Sequence, residues 1–139
     1  MRQILLFAAL AASLAPLSGC TLSKTKKDTE DMTDKAAYQK ISAEEAYEMM
    51  ASQEVVVVDV RTQEEYDGGH IENAVLVPNE SIVSEMPEAP PDKEATLLVY
   101  CRSGRRSKDA AEKLLKLGYQ SVYDFGGVID WPYELVKEG

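Results

Sequence analysis

The apolar positions of the chain form short continuous runs that alternate with segments of helical spacing. Four runs predict strands, at Glu54–Val60, Ala74–Pro78, Ala95–Tyr100 and Val122–Phe125. The first is a nearly continuous series of valines, which is typical of a strand buried on both faces of a parallel sheet. The chain therefore predicts several strands that share one core.

Helical segments lie between these strands. Ser42 begins the first, because its side chain can cap a helix and Glu45 completes a capping box. Gly126-Gly127 is predicted to turn the chain before the last helix. The other helical segments are Glu64–Tyr66, Ser81–Met86, Lys108–Gly118 and Ile129–Lys137. Strands alternating with helices predict an α/β fold with a parallel sheet, and ligands bind such sheets at the carboxyl ends of the strands.

The first 35 residues predict an exported, anchored protein. Residues 1–19 hold an apolar run that is too short for a membrane span and typical of a signal peptide. Leu17-Ser18-Gly19-Cys20 resembles the bacterial lipobox, which makes Cys20 the lipidation site. The alternative is an ordinary signal peptide with an incidental Cys20. Residues 20–35 are polar and predict a disordered tether to a single domain at residues 36–139.

The acidic character of the chain limits its partners. The full chain has a net charge of −9, and without residues 1–19 it has 14 basic and 24 acidic side chains, a net charge of −10. Nucleic acid is not expected as a partner, since phosphate contacts need a basic surface. The predicted membrane contact is the lipid anchor, in the cell envelope outside the cytoplasm, and in the outer membrane if the cell has two. We expect a monomer without a cofactor or metal.

Cys101 is the strongest candidate for chemistry. It follows a predicted strand and precedes a predicted helix, so the positive end of the helix dipole favours its thiolate. If Cys20 carries lipid, Cys101 has no partner for an intramolecular disulfide. A buried inert side chain and an intermolecular disulfide are the alternatives. The basic residues directly after Cys101 favour a reactive thiolate that meets an anionic substrate.

Three groups of residues resemble the signatures of rhodanese domains. The first comprises Asp59-Val60-Arg61, Glu65-Tyr66, Gly69-His70-Ile71 and Ala74. The second is Tyr100–Ser107, and the third comprises Gly118-Tyr119, Val122-Tyr123 and Gly126-Gly127 to Trp131. The groups follow the family order over residues 38–135. The resemblance implies the rhodanese fold, an α/β fold with a parallel sheet of about five strands flanked by helices on both faces.

The resemblance also implies sulfur transfer through a persulfide on Cys101. The donor would be a small anionic sulfur compound such as thiosulfate, and the acceptor a thiol or cyanide. The family pattern Cys-Arg-x-Gly-x-Arg makes Cys101 the catalytic residue and assigns substrate binding to Arg102, Ser103, Gly104, Arg105, Arg106 and Ser107. Within this set Arg102 and Arg106 are expected to bind the sulfonate end of thiosulfate, whereas Arg105 has a solvated loop position as its alternative. Lys108 is expected to be solvated.

Asp59, Arg61, Glu65 and His70 are interpreted as structural support. Arg61 and Glu65 are expected to pair across the turn that follows the strand. His70 resembles the family histidine that fixes a loop. These side chains are therefore not assigned to proton transfer.

Two other functions compete with sulfur transfer. Related phosphatases and arsenate reductases use Cys-x5-Arg, whereas Arg106 follows Cys101 with four residues between them. The shorter loop favours one sulfur atom over a whole phosphate. The second rival is a sulfur-carrier or binding module without multiple turnovers.

Overall fold

The computed structural model describes residues 37–83 and 92–137 of the chain. These residues form five strands and three α-helices: β1 (Gln39–Lys40), α1 (Ala43–Ser52), β2 (Val56–Asp59), α2 (Gln63–Asp67), β3 (Val75–Leu76), β4 (Thr96–Cys101), α3 (Arg105–Lys116) and β5 (Ser121–Gly127). Within this part of the chain, no helix is long and apolar enough to cross a membrane. The predicted signal peptide, Cys20 and the tether lie outside the described residues.

The five described strands form one parallel sheet in the order β1-β5-β4-β2-β3. Strand β4 is central, pairing with β2 on one side and β5 on the other. Cys101 is its last residue and aligns with Gly127 of β5. The predicted parallel sheet is confirmed, and Cys101 lies at its carboxyl edge.

Both faces of the sheet are buried because the valine-rich strands send alternate side chains to opposite sides. Val58 and Val99 lie in the cluster that packs against Ala111 and Leu114 of α3. Val57 and Leu98 lie in the cluster on the other face, which includes Ala46 of α1. The sheet is thus flanked by helices on both faces, as predicted, and Cys101 belongs to the α3 side.

The helix starts follow local capping chemistry. The capping box of Ser42 and Glu45 is present at α1, as predicted. A second box at α2 joins Thr62 and Glu65, although sequence analysis did not identify it. Helix α3 begins at Arg105, three residues earlier than predicted, so only Arg102–Gly104 separate Cys101 from the helix.

The predicted helix over Ile129–Lys137 is wrong. The chain makes a 3-10 turn at Val128–Asp130 and then continues irregularly. Trp131 has ψ 113°, because a residue before proline avoids the helical region and Pro132 has no N–H to donate. The following segment forms an isolated bridge, in which the backbones of His70 and Val136 exchange hydrogen bonds of 2.9 and 2.8 Å.

Two other local expectations also change. Gly126-Gly127 was expected to turn the chain, but both residues belong to β5. The predicted helix over residues 81–86 is wrong in its described part, because a 3-10 turn covers Asn79–Ser81 and ends before Ile82. The side chain of Ile82 is buried in the α3-side core, which holds this segment close to the sheet. Residues 84–86 lie outside the described part.

Candidate active site

Cys101 is the last residue of β4, and three residues separate it from the start of α3. Its side chain is 1% exposed, and its Sγ accepts a hydrogen bond of 3.0 Å from the backbone N–H of Gly104. Gly104 is the residue before the first turn of α3 and has φ 97°. A residue other than glycine would be strained there, so Gly104 permits the tight turn that brings its N–H to the sulfur.

The surroundings of Cys101 favour its thiolate. Burial raises the pKa of the thiol, but hydrogen bonding from the backbone and side chain of Ser107 and from the backbones of Gly104 and Ser103 together outweighs this effect. The net result is a pKa below the ordinary value for cysteine. Converging N–H groups are the usual way in which a protein holds a small anion.

The loop after Cys101 rests on the backbone of β5. The hydroxyl of Ser107, which is fully buried, lies 3.1 Å from the carbonyl oxygen of Gly104 and 3.3 Å from that of Gly126. A Cβ on Gly127 would collide with the carbonyl oxygen of Arg102 and lie 2.6 Å from the Cα of Ser103. The loop can therefore take this position only because residue 127 has no side chain.

Arg106 and Glu65 form a two-pronged ion pair beside this loop. Their N–O distances are 2.7 and 2.8 Å. The hydrogen bond from Arg106 lowers the pKa of Glu65 to about 2. The hydrogen bond to Glu65 raises the pKa of Arg106, and the charge of the Cys101 thiolate raises it further. The expected pairing of Arg61 with Glu65 is thus wrong, because Glu65 pairs with Arg106 of α3 instead.

Arg61 pairs instead with Asp59, to which it donates from Nε at 2.9 Å and from Nη2 at 2.6 Å. Both side chains are buried, and the carboxylate also accepts a 2.6 Å bond from the hydroxyl of Tyr100. Arg61 Nη2 further donates to the carbonyl of Gly69 at 2.8 Å. This network links β2, β4 and the segment that precedes β3.

His70 lies in that same segment. Its side chain is buried and stacks on Tyr66, with ring centroids 3.6 Å apart. Its Nδ1 lies 2.9 Å from the backbone carbonyl oxygen of Tyr66. These contacts hold α2 against the segment that leads into β3.

The structure divides the predicted substrate-binding residues into two sets. Gly104, Arg106 and Ser107 are packed or bonded around Cys101 as described above. Arg102, Ser103 and Arg105 have exposed side chains. Within the described residues, neither Arg102 nor Arg105 forms an ion pair with a carboxylate.

A buried acid that sequence analysis missed lies in β5, close to the strand residues that contact the loop. Asp124 of β5 is fully buried, and its Oδ1 accepts a 2.8 Å bond from the backbone N–H of Gly126. Its Oδ2 accepts from the hydroxyl of Tyr38 at 2.7 Å and from Nζ of Lys40 at 3.3 Å. An acid in the middle of the apolar run Val122–Phe125 was the available signal, because a buried carboxylate needs donors.

The comparisons with known proteins agree with this geometry. The model of the rhodanese-like domain family matches residues 42–132. A rhodanese-like domain protein from Staphylococcus aureus is 30% identical and superposes with a TM-score of 0.64, covering 73% of this chain and 99% of that one. A human single-domain sulfurtransferase is 25% identical with a TM-score of 0.60, covering 66% of this chain and 93% of that one.

Curated relatives include longer enzymes. A tRNA uridine(34) hydroxylase from Hamiltonella defensa subsp. Acyrthosiphon pisum is 35% identical over 109 residues, which cover 73% of this chain and 31% of the relative. The chain thus spans about a third of the length of the curated relatives it matches. The family signatures, the parallel sheet and the cysteine loop after its central strand lead to one conclusion: this chain belongs to the rhodanese-like domain family.

Proposed function

We propose that the protein is a sulfurtransferase that carries a sulfane sulfur on Cys101. The observation that supports this most directly is the bond of 3.0 Å from the Gly104 N–H to the Cys101 Sγ, in a site that lowers the pKa of the thiol. The donor is a small anionic sulfur compound such as thiosulfate, and the acceptor is a thiol or cyanide. A thiolate is the nucleophile that this chemistry requires.

The transfer proceeds in two displacements at sulfur. The Cys101 thiolate attacks the sulfane sulfur of thiosulfate, and the donor S–S bond breaks with its electron pair leaving on sulfite. The acceptor then attacks the outer sulfur of the persulfide, and the breaking S–S bond returns its electron pair to Cys101. No external oxidant or reductant is consumed, and no general base is required once the thiol is ionised. The backbone N–H groups around Sγ would stabilise the charge of the outer persulfide sulfur.

The arginines are proposed to bind the anionic end of the donor. Arg102 and Arg105 are exposed, without a carboxylate partner in the described part of the chain. Arg106 uses two of its five N–H groups on Glu65, which leaves three for a donor while the pair fixes the orientation of the guanidinium. Ser103, Gly104 and Ser107 are proposed to contribute mainly through the loop backbone and its packing.

Hydrolysis of phosphate esters is less well supported. Only three residues, Arg102–Gly104, join Cys101 to α3. They fit against β5 because residue 127 is a glycine, which leaves room for their backbone. A loop this close to its support suits one sulfur atom better than a tetrahedral oxyanion. Loss of aryl phosphate hydrolysis in the Cys101→Ser variant, with no sulfur adduct in the wild type, would reverse this assignment.

Intact mass spectrometry tests the proposal. Incubation with thiosulfate is expected to add one sulfur atom to the wild type and none to Cys101→Ser, and cyanide is expected to remove the adduct as thiocyanate. A wild type that gains no sulfur from any anionic donor contradicts the proposal. A persulfide that forms once without repeated thiocyanate production supports the sulfur-carrier alternative instead.

We further propose, independently of the catalytic site, that residues 1–19 are a signal peptide and that Cys20 is lipidated in the cell envelope. The support is the order of apolar run, small residues and cysteine in the sequence. Fatty-acid labelling and recovery with membranes are expected for the wild type, and both should disappear in Cys20→Ala. Unlabelled wild-type protein would contradict the anchor without affecting the sulfurtransferase proposal.

A further inference from the structure

A lysine that is distant in sequence lies beside the Cys101 loop. Lys40 is the last residue of β1 and aligns with Asp124 of β5. Its Nζ would lie 3.9 Å from a Cβ built on Gly104 and 3.3 Å from one built on Gly126. The ammonium group is therefore located against Gly104 of the loop and Gly126 of β5.

The absence of side chains at these glycines brings the ammonium close to the sulfur site. Gly104 is the residue whose N–H binds the Cys101 Sγ, and a Cβ on it would be only 3.5 Å from the Cα of Gly126. The positive charge of Lys40 therefore lies beside the residue whose backbone N–H binds the sulfur. A charge beside a partly buried site is screened less by water and salt than a charge in open solvent.

The ammonium group of Lys40 also remains available to a ligand. Its side chain is 53% exposed, and its contact with the Asp124 carboxylate is a single one of 3.3 Å. That carboxylate oxygen already accepts the shorter bond of 2.7 Å from Tyr38. Because an ammonium has three N–H donors, Lys40 keeps spare donors and most of its access to water.

Arg106 and Lys40 differ in how tightly their charged groups are held by a carboxylate. The guanidinium of Arg106 is bound by Glu65 through two short contacts, and both side chains are about a quarter exposed. Glu65 therefore fixes the orientation of the Arg106 guanidinium. Lys40 is held less tightly, by a single 3.3 Å contact with Asp124, so its exposed ammonium group can turn towards an anion.

We propose that Lys40 is a specificity-determining residue that favours anionic over neutral reactants at Cys101. In the proposed sulfurtransferase, Lys40 raises the local concentration of an anionic donor. It also interacts with the sulfonate end of thiosulfate as that end leaves the sulfane sulfur as sulfite. This role rests on the proposed function for its biological meaning. The electrostatic effect itself can be measured without any sulfur transfer.

The first test compares alkylation of Cys101 by iodoacetate, an anion, and by iodoacetamide, a neutral analogue. Lys40→Met is expected to lower the ratio of the iodoacetate rate to the iodoacetamide rate about two- to fivefold at low salt. A change in the ionised fraction of the thiol alters both rates equally, so the ratio reports only the charge felt by the reagent. Lys40→Arg, which keeps the charge, should retain the wild-type ratio.

Lys116→Met is the matched control, since it removes the same charge at the exposed far end of α3. Its ratio should equal that of the wild type. An unchanged ratio in folded Lys40→Met, or an equal fall in Lys116→Met, overturns the proposal. Thermal melting identifies a variant that does not fold, and Lys40→Gln then provides the same charge removal with a polar side chain.

The second test measures sulfur transfer from thiosulfate. Lys40→Met should lower kcat/KM about two- to fivefold at low salt, and added salt should reduce the difference from the wild type. Equal kcat/KM values for Lys40→Met and the wild type at low salt contradict the role of Lys40 in transfer. If the wild type transfers no sulfur, the proposed function fails, whereas the alkylation ratio still decides whether Lys40 selects for anions.

Discussion

Replacement of Gly127 by alanine tests whether the cysteine loop depends on its contact with β5. Gly127 has φ −122° and ψ 148°, which any residue can adopt, so alanine brings no backbone strain of its own. The new methyl group would collide with the carbonyl oxygen of Arg102 and lie 2.6 Å from the Cα of Ser103, where ordinary contact begins at 3.4 Å. To restore ordinary contact, the Ser103 Cα must move about 0.8 Å away from the methyl group, which is the difference between 3.4 and 2.6 Å.

This displacement should raise the pKa of Cys101. The loop carries the N–H groups of Ser103 and Gly104 that favour the thiolate. A hydrogen bond to a charged group contributes about 1.5–3 kcal/mol, and one pKa unit corresponds to about 1.4 kcal/mol. Weakening one such bond should raise the pKa by about one unit. Overpacking should also lower the free energy of unfolding by about 1–3 kcal/mol.

The assay is the rate of iodoacetamide alkylation as a function of pH, with thermal unfolding measured in parallel. Gly118→Ala is the matched control, because Gly118 has φ 96° and its Cβ would meet no atom within 4 Å. Its backbone strain should cost about 1–2 kcal/mol of stability while leaving the pH midpoint of Cys101 unchanged. A Gly127→Ala protein with the wild-type pH midpoint and melting temperature would refute the reasoning.

Three further substitutions probe the surrounding groups. Ser107→Ala removes a hydroxyl that favours the Cys101 thiolate, so the pH midpoint of alkylation should rise by up to about one unit. Glu65 has its pKa depressed to about 2, so its contribution to stability is present above its unfolded pKa, near 4.5, and is lost as the pH falls towards 2. Glu65→Gln should remove about 1–2 kcal/mol at pH 7 and flatten the acid dependence of urea unfolding. Asp59→Asn leaves the buried charge of Arg61 without its carboxylate and should cost about 3–5 kcal/mol in the same assay, whereas a loss below 1 kcal/mol would contradict a buried ion pair.

The parts of the fold that could be predicted are those with a local physical signal. Val56–Asp59 and Thr96–Cys101 are strands in which apolar side chains fill both faces, and their composition alone indicates a parallel sheet. Ser42 and Glu45 satisfy each other's backbone groups within four residues, so the start of α1 is visible in the sequence. The apolar run that ends at Tyr100 likewise predicted that Cys101 directly follows a buried strand, and Cys101 is in fact the last residue of β4.

The misses concern features that only tertiary contacts determine. Strand β1 has two residues, both exposed, and its pairing with β5 leaves no apolar pattern. The sequence predicted that Glu65 pairs with Arg61 because the two are close in sequence. The guanidinium of Arg61 binds Asp59 instead, which is buried at the end of β2. The apolar spacing after Ile129 predicted a helix, yet a single proline and the bridge to His70 prevent it.

The chemistry of Cys101 also depends on these distant contacts. The tight turn at Gly104, which has a positive φ directly before α3, brings one N–H to the sulfur. The loop is held in place, however, by the hydroxyl of Ser107 near the carbonyl of Gly126 and by the missing side chain at Gly127. Because β5 is in turn tied to β1 through Asp124, a change in either strand should alter the reactivity of the thiol even where the loop sequence is intact. The low pKa of Cys101 therefore depends on two features together: the sequence of the loop and the packing of β5 against that loop.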